Sequence, residues 1–242
     1  MNKIQKISII IPVKNEEKNV TLLTKEILKA CSSMIFEVIF INDGSTDNTE
    51  NVLVKLKNKY NNLRIINHLK SYGQSAALKS GILNAKNDTI VTLDGDCQND
   101  PADIPKMLNM FQNNKHRLLL IGGVRKNRKD NFGKRLGSKF GKLCRKFLLN
   151  DSHPDSGCGI KIFHKKLFLL MPYFDHIHRF LPVLAKREGA EVLEFEVNHR
   201  SRLEGNSNYT NFGRLLVGIY DVLGVIWLLK RSPKNFNAKE VK

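Results

Sequence analysis

The sequence has few of the features that mark disulfide-rich, zinc-binding or P-loop proteins. Its four cysteines include no Cys-x-x-Cys pair, so we expect free thiols in a reducing compartment. No Gly-x-Gly-x-x-Gly follows the first apolar segment and no Gly-Lys-Ser/Thr loop occurs, which removes the main support for a dinucleotide-binding or P-loop fold. The 242 residues, 41% of them hydrophobic, are enough for one large domain with its own core.

Acidic residues are also scarce, with 23 Asp and Glu against 40 Lys and Arg and a net charge of +17. Residues 115–150 hold twelve of the basic residues and the single acid Asp130, which gives this segment a net charge of +11. Nucleic acid, anionic lipid and sugar nucleotides are all candidate partners for such a segment. The concentration of charge argues against a merely lysine-rich, solvated surface.

Apolar runs of strand length alternate with amphipathic helical segments as far as residue 124. The predicted strands are Ile7–Val13, Phe36–Ile41, Leu63–Ile66, Thr89–Leu93 and Leu118–Val124. This alternation predicts an α/β fold with a mostly parallel, doubly wound sheet. Ligands of such sheets bind beyond the carboxyl ends of the strands.

Polar side chains that suit a metal ion follow the fourth predicted strand. In an extended chain, residues two and four positions apart point to one side, so Asp94, Asp96 and Gln98 are predicted to offer oxygen ligands from one face. Such ligands suit Mg²⁺ or Mn²⁺. An isolated Asp-Gly-Asp could equally be a surface turn. Asp43 follows the second predicted strand and should therefore lie at the same edge of the sheet. This favours a metal site over an isolated surface turn.

Two further segments have an amphipathic or apolar character. Residues 132–148 place apolar side chains at three- and four-residue steps among basic residues, which favours a helix on a membrane surface over a core helix with a charged back; the apolar residues are Phe132, Leu136, Phe140, Leu143 and Phe147. Residues 211–231 predict an apolar helix that lies at an interface or packs on the protein, because Asp221 and the short apolar length oppose a membrane span. A basic tail, residues 232–242, follows it.

The His176 and His178 pair could suggest a metal site. Residues two positions apart do not face each other on a helix. We therefore predict a surface or interface role for this pair.

Seven motifs occur in an order and spacing that resemble one enzyme family. They are Ile11–Glu16, Asn42–Asp47, Gly73–Ala77, Leu93–Pro101, Arg125, Asp155–Lys161 and Arg200–Tyr209. The chain resembles family 2 glycosyltransferases of the GT-A fold, and most closely their polyprenol-phosphate, dolichol-phosphate mannosyltransferase-like branch. The resemblance implies a GT-A domain over residues 1–210. Two departures are Asn42, where the commoner motif has Asp, and Asn208, where many relatives have Lys.

The resemblance also implies roles for individual residues. The nucleotide would contact Pro12, Asn15, Glu16, Asp43, Gly73 and Asp94. The metal would be bound by Asp94, Asp96 and Gln98. The phosphates would be bound by Arg125, Arg200, Arg202 and Ser207. The catalytic set would be Asp155, as candidate base or acceptor-side carboxylate, with Asp96 and Arg125.

The function implied is an inverting, metal-dependent transfer of a sugar from a UDP- or GDP-linked donor to a polyprenyl phosphate. The enzyme would sit peripherally on the cytoplasmic face of the membrane, against anionic lipid and without nucleic acid, as a homo-oligomer or beside a membrane partner subunit. One alternative is a glycosyltransferase whose acceptor is a soluble glycan, an envelope glycan or lipid A. A second alternative is a non-catalytic basic protein that binds membrane or nucleic acid, which would leave the strand-end acids without a role.

Overall fold

The computed structural model describes residues 6–126, 148–201 and 211–231, with the backbone alone at 211–216. The chain forms two compact units. The first spans residues 1–130 and 153–206, and the second spans 131–152 and 207–242. The boundaries 1–210, 211–231 and 232–242 stay predictions. The predicted basic helix at 132–148 lies outside the described residues except for its last position.

The first unit is built on a seven-stranded sheet in the order β3-β2-β1-β4-β6-β5-β7. The strands are β1 Lys6–Val13, β2 Ile35–Asp43, β3 Leu63–His68, β4 Thr89–Thr92, β5 Leu119–Arg125, β6 Lys161–His164 and β7 Glu191–Val197. Every pairing is parallel except those of β6, which runs antiparallel to both β4 and β5. The predicted mostly parallel α/β fold is confirmed.

Among the described residues of this unit, six α-helices lie along the sheet. They are α1 Val20–Ala30, α2 Thr49–Lys59, α3 Gln74–Asn84, α4 Ile104–Asn113, α5 Lys165–Leu170 and α6 Leu181–Arg187. Short 3-10 turns occupy Pro101–Asp103 and Ile177–Arg179. The side chain of Asp100 accepts a hydrogen bond from the backbone N–H of Ala102 and so caps the first of these turns at its amino end.

The sequence of β1 is an unbroken apolar run because both faces of this strand are buried. Ile9 and Ile10 point to opposite faces of the sheet, and both are fully buried. Ile9 belongs to the cluster that includes residues of α1 and α4. On the Ile10 side, α3 packs so closely that a Cβ on Gly81 would lie 2.5 Å from Ile10 Cγ2. This packing fixes α3 against the sheet, with its first residue near the strand ends.

The second unit contains α7, Asn211–Lys230. One face of this helix exposes large apolar side chains: Tyr220 is 78% exposed, Leu223 58% and Trp227 60%. Lys230 and Arg231 follow at its end and are exposed. The predicted helix is therefore present. Within the described segments, none of the helices combines the length and hydropathy that crossing a bilayer requires.

Candidate functional site

The loops that follow β1 and β2 are joined by hydrogen bonds at the carboxyl edge of the sheet. Asn15 donates through its backbone N–H to Ser45 Oγ at 3.0 Å, and its Oδ1 accepts from the Thr46 backbone N–H at 2.8 Å. The backbone N–H of Glu16 donates to Thr49 Oγ1 at 2.8 Å. Asn15 adopts a positive φ of 57°. These contacts place two residues of the predicted nucleotide set, Asn15 and Glu16, in a rigid loop beside Pro12.

Asp43, at the end of β2, is buried and accepts four hydrogen bonds. Its Oδ1 accepts from His68 Nδ1 and the Tyr72 backbone N–H, at 2.7 and 2.9 Å. Its Oδ2 accepts from Ser71 Oγ and the Gly73 backbone N–H, both at 2.8 Å. Burial alone would raise the pKa of this carboxyl, but the four donors together hold the pKa below its ordinary value.

Four bonds occupy the acceptor positions of a carboxylate. Asp43 therefore fixes the loop that leads into α3, and this loop includes Gly73. The base contact implied for Asp43 stays a prediction, since a nucleotide base would have to share an oxygen that already accepts two protein donors.

Asp94 and Asp96 come together in a turn and not along an extended strand. The strand β4 ends at Thr92, residues 95–97 form a turn and bend, and Cys97 has a φ of 59°. The extended geometry expected for Asp94, Asp96 and Gln98 is therefore wrong. Burial first, and then the neighbouring charge of Asp96, raise the pKa of Asp94 to about 6. Two close, desolvated carboxylates repel one another, and a divalent cation would relieve that repulsion.

Four neighbours surround the Asp94 carboxylate. Gln74, the first residue of α3, donates through Nε2 to Asp94 Oδ1 at 2.9 Å. Gly159 faces the other oxygen so closely that a Cβ there would lie 2.1 Å from Asp94 Oδ2. The ammonium group of Lys161 and the guanidinium of Arg125 are near enough to lower the Asp94 pKa, against the two larger effects.

Lysine is rarely buried in a protein interior, yet Lys161 is only 3% exposed. It begins β6, and its Nζ donates to the backbone carbonyl of Cys158. Burial lowers the pKa of Lys161, while the charges of Asp94 and Asp155 act to raise it. The lysine therefore places a buried amino group, a hydrogen-bond donor, among the acids of the site.

Gln98 is hydrogen bonded to both Asp96 and Arg200. Its backbone N–H donates to Asp96 Oδ1 at 3.1 Å, and its Nε2 reaches the carbonyl of Arg200 at 3.5 Å. Across the described residues, no three His, Cys, Asp or Glu side chains form a metal cluster. A cation here would be held by Asp94 and Asp96, and the metal role implied for Gln98 stays a prediction. Mg²⁺ commonly uses one or two carboxylates with substrate phosphates, so these residues fit it.

Arg125 and Asp155 form a bidentate ion pair. Arg125 Nε donates to Asp155 Oδ2 at 2.6 Å and Nη2 donates to Oδ1 at 2.7 Å. The backbone N–H of Arg125 also donates to Oδ2, at 3.2 Å. Hydrogen bonding to Asp155 is the main reason that the pKa of Arg125 is raised. Asp155 thus orients Arg125 next to Asp94, and both of its oxygens are engaged.

Arg200 also contacts carboxylates. Its Nη1 lies 2.8 Å from both oxygens of Glu26, and its Nη2 lies 2.8 Å from Asp100 Oδ1. Its backbone N–H donates to the carbonyl of Gln98 at 2.9 Å. These contacts tie the segment after β7 to the loop after β4. The phosphate role of Arg200 stays a prediction, and Arg202 and Ser207 lie outside the described residues.

The sequence patterns predicted no role for Gln74, Gly159 or Lys161, although these residues lie in the motifs Gly73–Ala77 and Asp155–Lys161. The available signal was a lysine set directly between apolar residues, Ile160 and Ile162. His178 is half-buried, and the surface or interface role predicted for it stays a prediction. Its Nδ1 is hydrogen bonded to Ser75 Oγ at 2.8 Å, and burial is the first cause that lowers its pKa to about 3.

Comparison with known proteins identifies a family and a similar enzyme. The model of glycosyl transferase family 2 matches residues 8–169. The chain is 31% identical over 224 residues to an undecaprenyl-phosphate 4-deoxy-4-formamido-L-arabinose transferase of Proteus mirabilis, covering 91% of this chain and 68% of the relative.

The fold is similar to that of glucosyl-3-phosphoglycerate synthase from Mycobacterium tuberculosis. Its complex with Mg²⁺ and UDP gives a TM-score of 0.70 at 14% identity, over 96% of this chain and 81% of that one. Its complex with Mn²⁺, UDP and phosphoglyceric acid gives 0.69 at 15% identity, over 96% and 80%.

Proposed function

The chain belongs to glycosyl transferase family 2, and from that premise we propose that it transfers a sugar from a nucleotide-sugar donor to a polyprenyl phosphate. The observation that carries the proposal is the pair Asp94 and Asp96 at the end of β4, with the Arg125 guanidinium and the Lys161 amino group beside Asp94. The similar transferase from Proteus mirabilis supports the acceptor class, because its name specifies undecaprenyl phosphate.

The donor must lose a nucleoside diphosphate, and the residues of the site suit that step. The bond from the anomeric carbon to the diphosphate breaks with its electron pair leaving on oxygen, while a bond to the acceptor oxygen forms on the opposite face. Asp94 and Asp96 would hold a Mg²⁺ or Mn²⁺ ion, which supplies charge stabilisation to the diphosphate when bound. Arg125, oriented by Asp155, adds a fixed positive charge on the same side.

The hydrogen bonds that Asp155 accepts from Arg125 favour a phosphate acceptor over a hydroxyl acceptor. A hydroxyl group needs a general base to remove its proton as it attacks. Both oxygens of Asp155 already accept hydrogen bonds from Arg125, which leaves this carboxylate poorly placed to act as that base. A lipid monophosphate is anionic near neutral pH and carries a nucleophilic oxygen without further deprotonation. What such an acceptor needs is positive charge, which Arg200 and Arg202 are proposed to contribute, while the Ser207 hydroxyl is proposed to donate a hydrogen bond to the phosphate.

We further propose that the enzyme works on the cytoplasmic face of the membrane, attached to anionic lipid. Two features support attachment: the basic segment 115–150 and the exposed apolar face of α7, which ends at Lys230 and Arg231. Aromatic side chains beside basic residues suit the headgroup region. Flotation with liposomes tests this. Wild type should float with anionic lipid and less with neutral lipid, and equal flotation with both would contradict the electrostatic part.

The transfer itself is tested with radiolabelled nucleotide sugars and a polyprenyl phosphate. Label should move to the organic phase, and EDTA or Asp96→Ala should remove most of that transfer. Asp88→Ala is the matched control, because Asp88 lies at the amino end of β4, opposite the site. Label on a water-soluble glycan would favour the alternative acceptor, and no transfer with any donor would favour a binding protein. Full activity of a folded Asp96→Ala protein in EDTA would overturn the metal role.

A further inference from the structure

The side chain of Gln74 contacts the Asp94 carboxylate from a helix that lies outside the acidic turn. Gln74 Nε2 donates to Asp94 Oδ1 at 2.9 Å, although the two residues are 20 positions apart. The contact joins the first residue of α3 to the turn after β4. Gln74 itself is exposed, so the hydrogen bond is not forced by burial of the carboxamide.

The start of α3 is held in place on several sides. The Gly73 backbone N–H donates to Asp43, and the hydroxyl of Ser75, which is 1% exposed, is hydrogen bonded to His178 at 2.8 Å. One turn further, Lys79 Nζ lies 3.9 Å from the centre of the Tyr173 ring. Gln74 therefore extends from a rigid helix end, and rigid elements position a functional group better than loops do.

Asp94 needs such a partner because a second carboxylate, that of Asp96, lies in the same turn. Repulsion between the two groups would turn the Asp94 carboxylate away from Asp96. Gly159 closes the space next to Oδ2. The Gln74 hydrogen bond to Oδ1 and the Gly159 backbone beside Oδ2 together select one orientation of the carboxylate.

We propose that Gln74 is a positioning residue for the cation site: its carboxamide fixes the orientation in which Asp94 receives the divalent ion. This inference rests on the proposed function, in which Asp94 and Asp96 hold that ion. Gln74 acts through Asp94 and not as a ligand, so its loss weakens ion binding and leaves the chemical step intact once the ion is bound.

The test compares two variants. Gln74→Met keeps the length of the side chain and removes the hydrogen-bond donor. Gln74→Glu replaces the donor by an acceptor oxygen and adds a negative charge. Gln112→Met is the matched control, because it makes the same exchange at an exposed glutamine near the end of α4. Binding of Mn²⁺ to the full chain is followed by the loss of the free-ion electron paramagnetic resonance signal, with and without UDP. Turnover is then measured against Mn²⁺ concentration.

Loss of a hydrogen bond to a charged group should raise the Mn²⁺ dissociation constant about tenfold in Gln74→Met. The concentration for half-maximal turnover should rise by a similar factor, with kcat at saturating Mn²⁺ close to wild type. Gln74→Glu should also bind more weakly, because it cannot donate to Oδ1. Gln112→Met should match wild type, and the metal-free thermal unfolding midpoint should move by no more than about 2 °C in any variant.

Three results would overturn the inference. Equal Mn²⁺ binding by Gln74→Met and wild type would show that the contact does not matter. Tighter binding by Gln74→Glu would show that this position acts through charge and not through donation. A fall in kcat at saturating Mn²⁺, with unchanged binding, would assign Gln74 to another step. If wild type binds no Mn²⁺ with or without UDP, the metal role in the proposed function fails as well.

Discussion

Asp155 accepts hydrogen bonds from both Nε and Nη2 of Arg125, at 2.6 and 2.7 Å, and so uses both of its carboxylate oxygens on one guanidinium. The pair lies in the protein interior, with the Arg125 side chain 17% exposed and that of Asp155 8% exposed. It joins the end of β5 to the turn before β6, beside Asp94. The two residues act as one structural unit, and each has a charge that the other compensates.

This pairing predicts strongly non-additive effects on stability. Arg125→Ala or Asp155→Ala alone leaves a buried charge without its partner, which typically costs about 3–5 kcal/mol. The double variant removes both charges and should lose clearly less than the sum of the two single losses. Urea unfolding of the four proteins measures this coupling. Additive losses would show that the ion pair contributes nothing to folding in solution.

The close approach of Gly159 to Asp94 predicts that a single methyl group damages the site. In Gly159→Ala the new Cβ would overlap Asp94 Oδ2, so either the carboxylate or the turn must shift. Mn²⁺ binding and turnover should fall at least about tenfold, as expected when a carboxylate ligand is displaced. Gly157→Ala is the control from the same turn, since its Cβ would meet only Arg125 Nη2 at 4.0 Å. Equal effects of the two substitutions would contradict the prediction.

The raised pKa of Asp94 predicts that this residue lowers the stability of the metal-free protein at neutral pH. Its folded-state pKa of about 6 lies above the ordinary value of 3.8, so the cost of ionisation is fully present above pH 6 and disappears as pH falls toward 3.8. Asp94→Asn in EDTA should therefore be more stable at pH 7.5, by on the order of 2 kcal/mol, while turnover is lost.

Thermal unfolding from pH 7.5 to 4 checks the sign of this effect. The gain from Asp94→Asn should shrink as pH falls below 6. Asp88→Asn serves as control, because Asp88 is at the other end of β4. A variant no more stable than wild type at pH 7.5 would contradict a raised pKa for Asp94.

His178 predicts a second pH dependence. Its pKa is lowered to about 3 from an ordinary value of 6.5, mainly by burial. The unfolded chain takes up a proton near pH 6.5 while the folded chain does not, so stability is lost as pH falls from 6.5 toward 3. His178→Asn keeps an acceptor for Ser75 and cannot titrate. Its unfolding midpoint should change less between pH 7 and 4 than that of wild type, whereas His116→Asn, at an exposed position, should follow wild type.

The sequence alone was sufficient for the architecture and for the position of the site in it. Continuous apolar runs such as Ile7–Val13 can only be buried on both faces, and their alternation with amphipathic helices requires a mostly parallel sheet. The acids that follow those runs then have to lie at the carboxyl edge, as Asp43, Asp94 and Asp96 do. The order of motifs was enough to point to the family.

The tertiary structure decided which groups are in contact, because those contacts join residues far apart in the chain. No local pattern shows that β6 inserts antiparallel between β4 and β5, and that insertion brings Lys161 and Gly159 next to Asp94. The bend at Cys97, with its positive φ, replaced the extended geometry that spacing suggested. Gln74, 20 residues before Asp94, reaches it only because α3 is packed against β1 at Gly81. Residue identities supplied the charges of the site, and the packing of helices on the sheet fixed which charges face each other.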